Sequence, residues 1–139
     1  MDGWLKQSTA VTVPIGPFVD ESNATTPETG LTIAQGAVLL SKNGAVLAQK
    51  NYAASCITLD TSVGMYGCGL NATDTGTVGL LSLSVHTWGA LPVRHTYMVL
   101  PGHVYGGLVD STDTLMVDAH YINGSEVTGD GNANPWQGV

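Results

Sequence analysis

Apolar and polar residues alternate with a period of two at several places along this chain, the signature of half-buried strands. The pattern is clearest at 78–87 (VGLLSLSVHT), where Leu81, Leu83 and Val85 share one face and Ser82, Ser84 and His86 the other. Residues 94–100 (RHTYMVL) continue as a strand, antiparallel to it across the turn 88–93. Residues 9–15 (TAVTVPI) put Val11 and Val13 on one face. Pro14 assigns that strand to a sheet edge or makes it a strand end, because proline has no N–H for the ladder. Residues 38–42 and 45–49 flank Asn43-Gly44, which predicts a two-residue hairpin on a type I′ turn. A second hairpin is expected between 55–59 and 65–70, around Thr61-Ser62-Val63, and a last short strand at 114–119.

The segments between follow from their turn residues. Residues 16–30 (GPFVDESNATTPETG) read as a long, ordered surface loop, and 71–76 as a turn cluster. Residues 101–110 have room for one short helical turn, limited by Gly106 and Gly107. The expected organisation is an N-terminal arm at 1–8, a β-sandwich domain at 9–122 and an extended C-terminal tail at 123–139. About seven short antiparallel strands at this spacing suggest an immunoglobulin-like β-sandwich, with a jelly roll as the alternative.

Composition sharpens this picture. Charged residues are 11% of the 139 and glycines number 18, so the helix-forming surface of Glu, Lys and Arg is missing. The formal net charge is −7, and the bases Lys6, Lys42, Lys50 and Arg94 are scattered. That argues against nucleic acid and anionic membrane as partners. No window is apolar enough to span a bilayer, and MDGWLKQ lacks the apolar run of a secretory leader. The expectation is a chain made and kept in a cytoplasm, or assembled there and released by lysis.

Candidate chemistry is sparse. If Asp60 pairs with Gly64, the second hairpin sets Cys56 opposite Cys68. Two readings stand: a cross-strand disulfide staple, or two reduced thiols acting as small hydrophobes. The histidines His86, His95, His103 and His120 lack zinc-ligand spacing and read as scattered surface or interface residues. Asp130-Gly131-Asn132-Ala133-Asn134 opens like a calcium loop, but Pro135 stands where its glycine belongs, so a polar turn is expected. The acids other than Asp118, Asp74 among them, fall in loops and turn edges, where solvation is the default, and no hydrolase, metalloprotease or phosphate-loop motif occurs. No catalytic residue, metal site or cofactor is expected.

The aromatics are more informative. Trp4 and Trp136 lie in polar termini; each is either an anchor for a neighbour's pocket, Trp136 stiffened by Pro135, or folds back on its own domain. Trp88 is expected at the edge of the core; alternatively Trp88 or Tyr105 serves as a stacking platform for a glycan.

The strings WLKQSTAVTVPIGPFVDESNATTPETGLTI, LSKNGAVLAQKN and VHTWGALPVRHTYMVLPGHVY carry a resemblance. So does the stretch containing Gly64, Tyr66, Leu70, Asn71, Thr73, Asp74 and Gly79. Over residues 4 to about 110 the chain resembles structural proteins of tailed bacteriophages. The module is similar to the immunoglobulin-like N-terminal domain of upper baseplate proteins. The resemblance implies a non-enzymatic virion component, assembled in the bacterial host cytoplasm and present in several copies. It would act as a tail or baseplate-type adaptor, contacting other virion proteins and copies of itself through its termini and sheet edges. A capsid decoration protein and a glycan-binding β-sandwich are the alternatives.

Overall fold

The computed structural model describes residues 1–115 and the backbone of a two-stranded ribbon, Tyr121–Ile122 with Ser125–Glu126. Eight strands precede that ribbon: β1 (Gly3–Lys6), β2 (Val11–Ile15), β3 (Val38–Lys42), β4 (Ala48–Gln49), β5 (Ile57–Asp60), β6 (Met65–Leu70), β7 (Gly79–Val85) and β8 (Val93–Leu100). They form a five-stranded sheet in the order β1-β8-β7-β3-β4 and a three-stranded sheet in the order β2-β6-β5. The inner faces of both sheets contribute to one buried cluster, which makes the fold an all-β sandwich.

The period-two pattern places the core. Leu81, Leu83 and Val85 of β7 point inward beside Val38 and Leu40 of β3 and Tyr97 and Val99 of β8. Val13 and Ile15 of β2 and Tyr66, Cys68 and Leu70 of β6 face them from the small sheet. The Tyr97 hydroxyl donates to the Pro14 carbonyl at 3.2 Å and so links the sheets, while burial pushes its pKa up to about 12. Pro14 does sit in an edge strand, β2.

Several expectations are corrected. The residues expected as an N-terminal arm form β1, and this strand runs parallel to β8 where an all-antiparallel arrangement is expected. Asp2 secures its start: the carboxylate accepts from the Thr96 N–H at 2.6 Å and faces His95 Nδ1 at 3.2 Å, which holds its pKa below the usual value. The Asn43-Gly44 turn forms with φ of 52° and 79°, and the Ala45 N–H donates to Lys42 O at 3.0 Å. Beyond the turn the ladder pairs Leu40 with Ala48, one residue out of a two-residue-loop register. Ser41 Oγ donates to Ala45 O at 2.6 Å at this slip, and Val46 and Leu47 are left outside the pairing, exposed.

The surface loop 16–30 is also more than surface. Phe18 is fully buried, edge-on to Tyr66 with ring centroids 5.5 Å apart. Its N–H donates to Gly64 O at 2.9 Å, and its carbonyl accepts from the Glu28 N–H at 2.9 Å. Gly64 has φ of +68°, and a Cβ there would collide with the Phe18 carbonyl, so both the turn and the close approach require glycine. The helical segment is longer than one turn: α1 (Gly102–Tyr105) continues through Gly106 and Gly107 as a wide turn to Asp110. Thr114 and Leu115 are not in a strand; the rest of the expected strand 114–119 lies outside the described residues.

One tether generates a test. The Tyr66 hydroxyl donates to Glu28 O at 2.9 Å and accepts from the Leu31 N–H at 3.0 Å, pinning the long loop to β6. Tyr66→Phe keeps the ring and strands both backbone groups, so unfolding stability should fall by about 1–3 kcal/mol. A denaturation midpoint equal to that of the parent would refute the tether.

Candidate interaction surfaces

The outer face of the small sheet carries an apolar patch. β6 alternates large inward residues with outward glycines, and the side chains of neighbouring segments lie down on those glycines. A Cβ at Gly67 would meet Ile57 and Leu59 at 3.2 Å and Thr12 at 3.0 Å; one at Gly69 would meet the Tyr52 ring at 2.6 Å. Ile57, Leu59 and Tyr52 nonetheless remain 59%, 51% and 42% exposed. All four residues of β5 are exposed, and β5 is one of the two edge strands of its sheet. Asp60 accepts from the Ser62 N–H at 2.6 Å and pairs with Met65 through a bulge, in place of the expected pairing with Gly64.

Trp88 does not sit at the edge of the core. It is 91% exposed, at the rim of an open groove of about 620 Å³ lined also by Asp20, Glu21, Glu28 and Thr32. Hydrogen bonds from Ser22 hold the Asp20 carboxyl below the usual range, so the groove is anionic. Tyr105 lies elsewhere: half-buried, it lines a smaller groove with Trp4, Lys6 and Asp110. Trp88 and Tyr105 therefore line two separate grooves. Trp4 is part of β1 and half-exposed. Pro135, Trp136, the loop 130–134, Asp118 and His120 lie outside the described residues.

Beneath the patch is a buried polar centre that sequence reasoning missed. Lys50 is 1% exposed, and its ammonium donates to the carbonyls of Tyr52, Ala54 and Gly69 at 2.7, 2.7 and 3.2 Å. Asp74, expected as a solvated acid, is 3% exposed and accepts from the N–H groups of Asn51, Tyr52 and Asn71 at 2.6, 3.1 and 3.0 Å. Thr75, fully buried, donates from Oγ1 to Thr9 O at 2.8 Å and accepts from the Thr9 N–H at 3.1 Å. The available signal was local: Asn71 Oδ1 accepts from the Thr73 and Asp74 N–H groups, the Asx-turn chemistry expected of Asn71-x-Thr73-Asp74.

The cysteines adjoin this centre. Ile57 pairs with Gly67, and continuing that register sets Cys56 opposite Cys68. Cys56 is half-buried, Cys68 fully buried, and both are free thiols. Their mutual hydrogen bond lowers the Cys56 pKa, helped by the Lys50 charge, and raises that of Cys68, helped by burial. His86 and His103 are exposed as expected. His95 is not: its side chain is 12% exposed, Nε2 accepts from the Gly16 N–H at 3.1 Å, and Nδ1 faces Asp2. Among the described residues no cluster of His, Cys, Asp and Glu has metal-binding geometry.

Comparison of the chain with protein families, curated proteins and solved structures returned no match.

Lys50→Met keeps the stem's packing and leaves three carbonyls without a donor. It should cost at least about 3 kcal/mol, as expected for breaking a satisfied buried charged network. A change within about 0.5 kcal/mol, typical of a surface site, would mean the ammonium is not the tie described.

Proposed function

We propose that the protein is a non-enzymatic structural adaptor of a tailed-phage particle, of tail or baseplate type, present in several copies and docked through its sheet edges and termini. The observation that supports this reading best is the apolar patch of Tyr52, Ile57 and Leu59 at the free β5 edge. Large apolar side chains laid on a glycine floor leave about half of their surface in water, and a partner covering them would remove that surface. An open edge also offers unpaired backbone groups to a neighbour's strand. The resemblance of residues 4 to about 110 to phage structural proteins supplies the particle.

The paired substitution Ile57→Lys and Leu59→Lys tests it. Both side chains are exposed, so the melting temperature should stay near that of the parent. Incorporation of the variant into purified particles, measured by quantitative mass spectrometry, should fall at least about tenfold, a loss of about 1.4 kcal/mol in docking. Normal incorporation would overturn the edge as the docking site. Absence of the parent chain from purified particles would overturn the adaptor reading, and its location on the head would favour a decoration protein.

A second reading, glycan binding, is favoured by Trp88, an exposed ring at a groove edged by Asp20, Glu21 and Glu28. Stacking of a sugar face on the ring with acids at its hydroxyls is the chemistry it offers. A glycan array should then give a hit that Trp88→Ala abolishes; no hit with the parent protein would remove this reading.

A further inference from the structure

We propose that Cys56 and Cys68 form a reversible thiol–disulfide site, in which Cys56 attacks a small-molecule disulfide and Cys68 resolves the adduct into an intramolecular bond. Three observations meet there. Ile57, the first residue of β5, pairs with Gly67 of β6, and extending that register by one residue brings Cys56 opposite Cys68. Opposed residues of an antiparallel pair have Cα atoms about 4.5–5.5 Å apart, within the Cα range of about 4.4–6.8 Å that a disulfide accepts. Exposure is unequal: Cys56 is half-buried, on a segment at the protein surface, whereas Cys68 is sealed in the core. An external disulfide can therefore reach one sulfur, and the other is held in waiting behind it.

Lys50 acts as a positioning residue. It bonds the Tyr52 and Ala54 carbonyls on the Cys56 side and the Gly69 carbonyl next to Cys68, clamping together the two segments that carry the thiols. The Cys56 N–H adds a bond to Ile33 O at 2.9 Å. The neighbouring Cys68 thiol and the nearby ammonium lower the Cys56 pKa and so favour its thiolate, the form that attacks.

The exchange balances with oxidised glutathione as oxidant. Cys56 loses its proton and its sulfur attacks one sulfur of the glutathione disulfide. The glutathione S–S bond breaks, the first glutathione leaves as a thiolate and takes up a proton, and a mixed disulfide remains on Cys56. Cys68 then gives up its proton, attacks the Cys56 sulfur and releases the second glutathione. The protein loses two electrons and two protons, and one glutathione disulfide becomes two thiols.

The full-length chain incubated with oxidised glutathione, quenched in acid and analysed by intact mass and non-reducing peptide mapping, tests the proposal. The parent should lose two hydrogens, carry a Cys56–Cys68 cross-link that dithiothreitol reverses, and melt at a higher temperature when oxidised. Cys68→Ala, which keeps a small apolar group in the core, should accumulate one glutathione on Cys56. Cys56→Ser should take up none at the same exposure. A stable mixed disulfide on the parent, or two unmodified thiols under conditions that fully oxidise free dithiothreitol, would overturn the site. Because the parent measurement needs no variant, misfolding of a variant leaves the result decisive.

Discussion

Lys50 and Asp74 tie together two of the four connections that carry the chain between sheets. Residues 50–56 lead from β4 in the large sheet to β5 in the small one, and residues 71–78 lead from β6 back to β7. Backbone that leaves a ladder loses its partners, and groups left unpaired away from water cost most. The Lys50 ammonium satisfies carbonyls from the first connection and from β6, and the Asp74 carboxylate satisfies amides from both connections. No buried side-chain polar atom among the described residues lacks a partner. Two buried charges are tolerated because each meets several oriented peptide dipoles, and losing any member would strand the others.

From that anchoring follows what the small sheet can display. The segment held by Lys50 brings Tyr52 over Gly69, and β5 then lays Ile57 and Leu59 over Gly67. The same strand fixes Cys56 opposite Cys68. Glycine at alternate positions of β6 serves two ends. It removes side chains that would hold neighbours away, and it leaves the outer surface of those neighbours exposed. An apolar outer face is a solubility liability for a lone monomer and a docking surface for a protein that works in an assembly.

The large sheet is the plainer half. Its inner face is filled by Leu, Val and Tyr, and its outer face carries Ser41, Ser82, Ser84 and Thr96 together with Leu80, Met98 and Trp4 toward the β1 edge. The loop 16–33 closes one end of the sandwich by burying Phe18 and Ile33, and the acidic groove beside Trp88 is built on the outside of that closure. Grooves and patch alike lie on connections and edges, where the ladder does not dictate the side chain.

By itself the sequence determined the local elements. Strict alternation specified β7 and β8 and their inward faces, Asn43-Gly44 specified its turn, and Pro14 specified an edge strand, because each depends on backbone preferences within a few residues. It also set Cys56 opposite Cys68, since a hairpin's register counts outward from its turn, although a bulge at Leu59 replaced the pairing expected next to that turn. Only the tertiary structure decided the rest. Whether Trp88 is buried, whether residues 3–6 join a sheet in parallel, and whether Phe18 plugs the core depend on contacts between distant segments that no local pattern encodes. Lys50 and Asp74 are the sharpest case: a lysine and an aspartate in polar turns look solvated until two sheet-to-sheet connections close around them and supply the peptide dipoles that replace water.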